Sequence, residues 1–321
     1  MILKISVIGS GRWGGFITWY LDRMGHDVAV WGRKDSPHFQ KLRETRTNGL
    51  VSFPDSVEMS TDLSGCVNRT QVLVISISSQ SLRSFLQQLA ALPVDGKLLV
   101  LCMKGIEEHT GDRLTEIVHE VLGDRVISAI WVGPGHVQEF TRGIPNCMII
   151  DSDNNEVKRR IVHDLSSDLI RFYYGTDLIG NEIGAASKNV IGIAAGMLDG
   201  LGQTSLKGAL MARGAREISR LIKAMGGNEM TAYGLSHLGD YEATVFSPHS
   251  HNRRFGERFV KGEPYTELAE GVSTVKALML LKERYCVDLP ICEAVYKVIH
   301  LGKEPKGVLS SLFLRSLKDE F

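Results

Sequence analysis

Along the first half of the chain, short apolar runs alternate with stretches of helical periodicity. "KISVIG" (4–9), "DVAVWG" (27–32), "QVLVISIS" (71–78), "KLLVLCM" (97–103), "VISAIWV" (126–132), "CMIIDS" (147–152) and "IRFYYG" (170–175) read as strands. Each is short, apolar and bounded by polar or glycine-containing segments. A helix is expected from about Trp13 to Met24, and another within "NNEVKRRIVHDLSSDL" (154–169). Short β-rich runs separated by helices imply a mainly parallel sheet covered by helices on both faces.

The pattern changes near Gly180. "NEIGAASKNVIGIAAGMLDGLG" (181–202) is apolar almost throughout. "LKGALMARGAREISRLIKAMGG" (206–227) places Leu206, Leu210, Ile218, Leu221 and Ile222 at helical spacings, and Gly226-Gly227 stops it. "TELAEGVSTVKALMLLKERY" (266–285) and "PICEAVYKVIHLG" (290–302) continue the helical pattern, with Pro290 placed to open the last one. The expected fold class is therefore α/β. A Rossmann-type, doubly wound, mainly parallel sheet over residues 1–180 is followed by an all-α C-terminal domain over 181–321.

The length of 321 residues suffices for two domains with sizeable cores. The formal net charge of +0 argues against a broad electrostatic grip on nucleic acid, so no nucleic-acid partner is expected. No apolar run approaches a membrane span, and "MILKISVIG" is too short for a secretory segment, so stable membrane insertion is not expected. The five cysteines form no CxxC pair, which leaves neither a disulfide framework nor a metal site in prospect. Reduced thiols in a cytoplasmic protein are the simplest reading.

Chemistry enters with the loop after the first strand. Gly9-Ser10-Gly11-Arg12-Trp13-Gly14 fits GxGxxG between a strand and a helix. Gly9 permits a tight turn, Gly11 lets a pyrophosphate approach the backbone, and Gly14 lets helix and strand pack closely. At the end of the second strand, an acid would hold the ribose hydroxyls of NAD. Here Arg33 and Lys34 stand in its place, with Asp35 and Ser36 beside them. A guanidinium suits a 2′-phosphate, which slightly favours NADP over NAD, against a merely solvated basic turn.

Lys188 sits in the middle of the most apolar helix. Gly184, Lys188, Gly192 and Ala195 fall along one side, a stripe that permits close approach by another backbone or by a ligand. A lysine there either reaches into a cleft or snorkels to solvent. Other strings add polar groups at strand ends and loops: Lys104 in "CMKGIE", Gly133-Pro134-Gly135 in "WVGPGHVQEF", and Asp240 and Thr244 in "LGDYEAT". "SPHSHNRRFG" adds His249, His251, Asn252, Arg253 and Arg254.

Taken in order, these strings resemble the bacterial-type NAD(P)-dependent sn-glycerol-3-phosphate dehydrogenases. The match comprises "GSGRWGG", "CMKGIE", "GPGHVQE", "EIGAASKNVIGIAAGMLDGLG", "ALMARGAREISRL", "HLGDYEAT", "HNRRFG", "AEGVSTVKAL" and "LPICEAVYKVI". The resemblance implies that Lys188 is the catalytic lysine, exchanging a proton with the C2 oxygen of the substrate. It implies a substrate pocket of Lys104, Gly133, Gly135, Lys188, Asn189, Asp240, Thr244, Ser250, His251 and Asn252. The implied cofactor contacts are Gly9, Gly11, Arg12, Trp13, Gly14, Arg33, Lys104, Val137, His251, Leu268 and Glu270. It further implies a small phosphorylated substrate, a role in supplying glycerol phosphate for phospholipid synthesis, and leaves a homodimer open. The family usually has serine or threonine where this chain has Gly135, and arginine where it has His251; Arg253 or a protonated His251 is expected to replace that charge. Dihydroxyacetone phosphate reduction by hydride transfer is the expected reaction. The alternatives are a related two-domain dehydrogenase acting on another hydroxy or keto compound, and a non-catalytic dinucleotide sensor.

Overall fold

The computed structural model describes residues 2–312. By its internal contacts the chain divides into two compact units, one of Met1–Lys104 with Asp112–Leu178, the other of Gly105–Gly111 with Ile179–Phe321.

The first unit is built on eight strands: β1 Lys4–Ile8, β2 Asp27–Trp31, β3 Glu58–Ser60, β4 Val72–Ile75, β5 Lys97–Leu101, β6 Val126–Val132, β7 Asn146–Asp151 and β8 Ile170–Tyr174. Their order across the sheet is β3-β2-β1-β4-β5-β6-β7-β8. All neighbours are parallel except β6 and β7, which run antiparallel with Trp131 opposite Ile150. β3 is only three residues long and only partly buried, which is why no apolar run marks it in the sequence.

Alternation along the strands explains the two covered faces. Ile5, Val7, Val28, Val30, Val74 and Val100 point to one side and share a core with Phe16, Ile17 and Tyr20 of the helix Arg12–Arg23. The alternate residues Ile8, Ala29, Leu73, Ile75, Leu99 and Leu101 are buried as well. On that second side the Ser6 hydroxyl donates to the Cys66 carbonyl, 2.9 Å away in the helix Leu63–Arg69.

The second unit has its own core. The helix Leu178–Gly200 is buried on every face from Gly180 to Leu198. It shares that core with the helices Lys207–Ala224, Gly271–Tyr285 and Pro290–Ile299. Glycines let neighbouring backbones close on it: a Cβ on Gly196 would overlap the Arg253 carbonyl, and one on Gly256 would overlap the Ile193 carbonyl. The Gly105–Gly111 segment packs here too. Ile106 is fully buried, and Glu108 takes the Lys276 ammonium at 2.6 Å. Residues 266–270, read from the sequence as the start of a helix, are a loop; the helix begins only at Gly271. Among the described residues, no helix is long and apolar enough to cross a membrane.

Candidate active site

In the sheet unit, the glycine loop follows β1 directly. Gly9 has φ +107°, a conformation only glycine adopts without strain, and a Cβ there would overlap the Ser76 carbonyl after β4. A Cβ on Gly14 would overlap the carbonyl of Gly9, so this glycine closes the helix onto the turn. Gly11 differs: a Cβ there would meet nothing within 4 Å. It is also the N-cap of the helix Arg12–Arg23 and brings no side chain to the first turn. A backbone cradle that opens outward at a helix N-terminus fits a dinucleotide pyrophosphate.

The neighbouring residues are fixed by that unit. Arg12 donates from Nη2 to Gln138 Oε1 at 2.7 Å. The Trp13 ring lies 5.1 Å from Phe16 and 6.4 Å from Phe140, and its buried Nε1 has no hydrogen-bond partner among the described residues. Lys104, just beyond β5, donates to the Gly133 carbonyl just beyond β6 at 2.7 Å. Gly133 has φ +128°. Val137 is buried at the start of the short helix Val137–Phe140. A Cβ on Gly135 would overlap the Phe140 ring, so a serine or threonine there needs a different seat for Phe140. Arg33 lies two residues past β2 with its side chain 73% exposed, and its nearest ionic partner is Asp35 at 3.9 Å.

In the helical unit, Lys188 does not snorkel. It is 7% exposed, and its Nζ lies 2.7 Å from Asp240 Oδ2 and 2.9 Å from Thr244 Oγ1. Thr244 donates its own hydroxyl to the Asp240 carbonyl at 2.8 Å, so its oxygen is turned to accept from the lysine. Thr244 lies in a single π-helical turn, Glu242–Phe246, and Asp240 closes the short 3₁₀ turn Leu238–Asp240 before it. Gly192 makes this possible: a Cβ there would stand 2.7 Å from the Thr244 methyl. The close approach permitted by the small-residue stripe is thus taken up by protein.

Asn189 accepts from Asn252 Nδ2 at 3.0 Å, and Asn252 Oδ1 accepts from the Gly271 amide at 2.9 Å. Three elements therefore meet at Asn252. Ser250 caps the helix His251–Val260 by accepting from the Arg253 amide. Glu270 is the N-cap of the helix Gly271–Tyr285, and Leu268 is exposed in the loop before it.

The two candidates for the substituted charge differ. Arg253 is taken: Nη1 lies 2.9 Å from Asp199 and 2.8 Å from Glu257, and Nε donates to the Ser247 carbonyl. Arg253 therefore already faces two carboxylates. His251 is only partly buried, with Nδ1 2.6 Å from Glu267 Oε2 and 3.0 Å from the Tyr265 hydroxyl.

Two residues without a role in the sequence reading stand behind Asp240. His237 and Tyr241 are fully buried, 2.7 Å apart between Nε2 and the hydroxyl. Burial pushes the His237 imidazole down to about 4 and the Tyr241 phenol well above its ordinary value. Their spacing of four residues is a weak signal, since it reveals no partner.

Similarity to known proteins follows the same division. The family model described as NAD-dependent glycerol-3-phosphate dehydrogenase N-terminus matches residues 4–158, and that described as the C-terminus matches residues 177–310. A Prosthecochloris aestuarii protein named glycerol-3-phosphate dehydrogenase (NAD(P)+) is 37% identical over 98% of this chain and 99% of its own length. One of the same name from Fusobacterium nucleatum is 34% identical over 99% of both. The crystal structure of a Coxiella burnetii glycerol-3-phosphate dehydrogenase superposes with a TM-score of 0.91 at 25% identity, covering 98% of this chain and 99% of that one.

Proposed function

This chain belongs to the NAD-dependent glycerol-3-phosphate dehydrogenase family, and from that premise we infer that it interconverts dihydroxyacetone phosphate and sn-glycerol 3-phosphate with NAD or NADP. The observation that carries the reading at the level of chemistry is the buried Lys188–Asp240–Thr244 cluster. An ammonium held in an apolar helix by one carboxylate and one hydroxyl suits a proton donor to a developing alkoxide better than a surface charge does.

A dinucleotide held at the Gly11 cradle would supply the hydride to C2 or accept it in the reverse direction. Lys188 gives its proton to the C2 oxygen during reduction and takes it back during oxidation. Asp240 keeps the amine oriented and offsets the charge of its ammonium form. Thr244 fixes the rotamer of the lysine by accepting its second hydrogen bond. Ile183, Val190 and Ile191, all fully buried on the same helix, anchor it in the core of the helical unit. Asn189 and Asn252, already joined to each other, present amides for the substrate phosphate, with His251 next to Asn252 at the start of the same helix. The outward-opening cradle at Gly11 is the seat for the pyrophosphate, and Arg33 selects modestly for the 2′-phosphate. A cytoplasmic location and a role in supplying glycerol phosphate for phospholipid synthesis complete the proposal.

The experiment is a panel of dihydroxyacetone phosphate, dihydroxyacetone and small keto acids, each with NADH and NADPH. Oxidation of the reduced cofactor only with the phosphate ester is the expected outcome. Equal or better turnover of an unphosphorylated or carboxylate substrate overturns the substrate assignment.

A further inference from the structure

We propose that His237, held by Tyr241, is a positioning residue: its ring clamps the turn carrying Asp240 to the Lys188 helix and thereby fixes the Asp240–Lys188 hydrogen bond. For its kinetic consequence the proposal rests on the dehydrogenase reading; its geometry is independent of that reading.

The clamp closes a ring of contacts. His237 Nδ1 lies 2.8 Å from the Gly184 carbonyl, which sits one helical turn ahead of Lys188. A carbonyl only accepts, so Nδ1 carries the hydrogen. The neutral ring then accepts at Nε2, and the Tyr241 hydroxyl, 2.7 Å away, is the donor. Space fixes both ends. A Cβ on Gly184 would stand 3.0 Å from His237 Cβ, and one on Gly214 would stand 3.1 Å from the Tyr241 hydroxyl. The imidazole and the phenol thus occupy seats that two glycines leave vacant on neighbouring helices.

The turn needs this support. Asp240 ends a three-residue 3₁₀ turn that contains Gly239 and leads into a π-helical turn. Such turns have poor hydrogen-bond geometry and do not by themselves hold a carboxylate to a few tenths of an ångström. His237 and Tyr241 bracket the turn at both ends and tie it to the helix that bears the lysine. A buried ion pair is worth its desolvation only when its geometry is held closely, and Asp240 is 1% exposed.

A relay of protons through the pair does not fit. The Gly184 carbonyl has no proton to exchange, and burial opposes both the imidazolium and the phenolate. The charges facing His237 are Lys188 and Asp240, of opposite sign and opposite effect on the ring.

The test uses Tyr241→Phe, which removes only the hydroxyl, and His237→Asn, which retains a donor near Nδ1 and loses the acceptor. Each is measured alone and in an Asp240→Asn background. The clamp predicts dinucleotide affinity within about twofold of wild type and a fall in turnover of about tenfold for either single variant. In the Asp240→Asn background the same changes should add less than about twofold, because they act through Asp240. Losses that multiply in the double variants, or wild-type turnover in both single variants, overturn the proposal. A crystal structure of either variant decides without turnover. Displacement of Asp240 Oδ2 from Lys188 Nζ by about 0.5 Å or more supports the clamp, and an unmoved pair overturns it. Wild-type enzyme inactive on dihydroxyacetone phosphate would count against the dehydrogenase reading alone, since the crystallographic outcome stands apart from it.

Discussion

The glycine loop of the sheet unit and the small-residue stripe of the Lys188 helix look alike as strings of glycine at close-approach spacings. In the structure they do opposite things. Gly9 and Gly14 are used up by the chain itself, yet Gly11 between them opens outward with nothing within 4 Å of its missing Cβ. On the helix, Gly184 is filled by His237, Gly192 by Thr244 and Gly196 by the Arg253 carbonyl. The loop is a cradle whose remaining space fits a ligand. The stripe is a socket that the protein fills itself, at Gly192 with Thr244, a partner of its own lysine. What lies beyond the absent Cβ, rather than the glycine, separates a binding surface from a packing surface.

The largest effect expected from that contrast is at Lys188. Lys188→Met keeps length and helix compatibility and removes the ammonium. Turnover should fall by a factor on the order of 10² to 10⁴, the usual worth of a positioned proton donor, with dinucleotide affinity retained. Rapid kinetics on the folded variant checks this, and near-wild-type turnover would show that the socket holds a merely structural lysine.

Next come the two kinds of glycine. Gly196→Ala regains about 1 kcal/mol of helix propensity. Its methyl, however, would overlap a backbone carbonyl that cannot rotate away, and overpacking of that sort costs about 1–3 kcal/mol or more. Urea unfolding should therefore show a net loss. Gly11→Ala has φ −65° and open space, so stability should stay within about 0.5 kcal/mol of wild type. Its dinucleotide affinity should fall by about tenfold or more if the pyrophosphate sits where the methyl would project. Reversed outcomes, a fragile Gly11→Ala or a tolerant Gly196→Ala, would break the comparison.

The sequence displayed the strands well, because β1, β2, β4, β5, β6 and β7 are buried on both faces and appear as continuous apolar runs. It hid β3, since Glu58, Met59 and Ser60 are only partly covered. It extended the helix starting at Gly271 backwards over 266–270, where Leu268 and Ala269 mimic its periodicity while the backbone is a loop. At the site, the family resemblance grouped Lys188, Asp240, Thr244, Asn189 and Asn252, and in the helical unit Lys188 contacts Asp240 and Thr244 while Asn189 bonds Asn252. Three features were not legible: the Arg253 pairing with Asp199 and Glu257, the His237–Tyr241 contact, and the overlap of a Gly135 Cβ with Phe140. The Arg253–Asp199 pair joins distant segments, while the other contacts are local and depend on turn and rotamer geometry that spacing alone does not encode.

The helical unit also holds two buried titratable groups whose effects on stability oppose each other. His237 is pushed down to about 4 from 6.5 by burial. Between those values the unfolded chain binds more protons, so stability rises with pH and is lost as pH falls towards 4. Glu217 is pushed up from 4.5 to about 7 by burial, against the Ile291 and Cys292 amides it accepts from. Here the folded chain binds more protons, and stability falls as pH rises from 4.5 to about 7. The slopes oppose across pH 4.5–6.5, so wild type should show a shallow net dependence from this pair. Glu217→Gln should make stability rise more steeply with pH in that window. Parallel urea-unfolding profiles for wild type and variant would remove Glu217 from the account.

The smallest effect tests a cation in the sheet unit that the protein leaves exposed. Lys188 is enclosed by its own chain, whereas the Arg33 side chain is 73% exposed and its nearest ionic partner is Asp35 at 3.9 Å. Exposed pairs of this kind are worth about 0–1 kcal/mol and are screened by salt, so Arg33→Ala should leave folding stability within about 0.5 kcal/mol. Its consequence should appear only with a cofactor bearing a 2′-phosphate. The Michaelis constant for NADPH should rise by roughly 3- to 30-fold while that for NADH stays within about twofold, as expected for losing one charge-assisted hydrogen bond. The NADPH effect should shrink as ionic strength rises, because the guanidinium is largely open to added ions. Equal changes for both cofactors, or wild-type enzyme that uses NADH alone, would remove Arg33 from cofactor choice and leave it as a solvated turn.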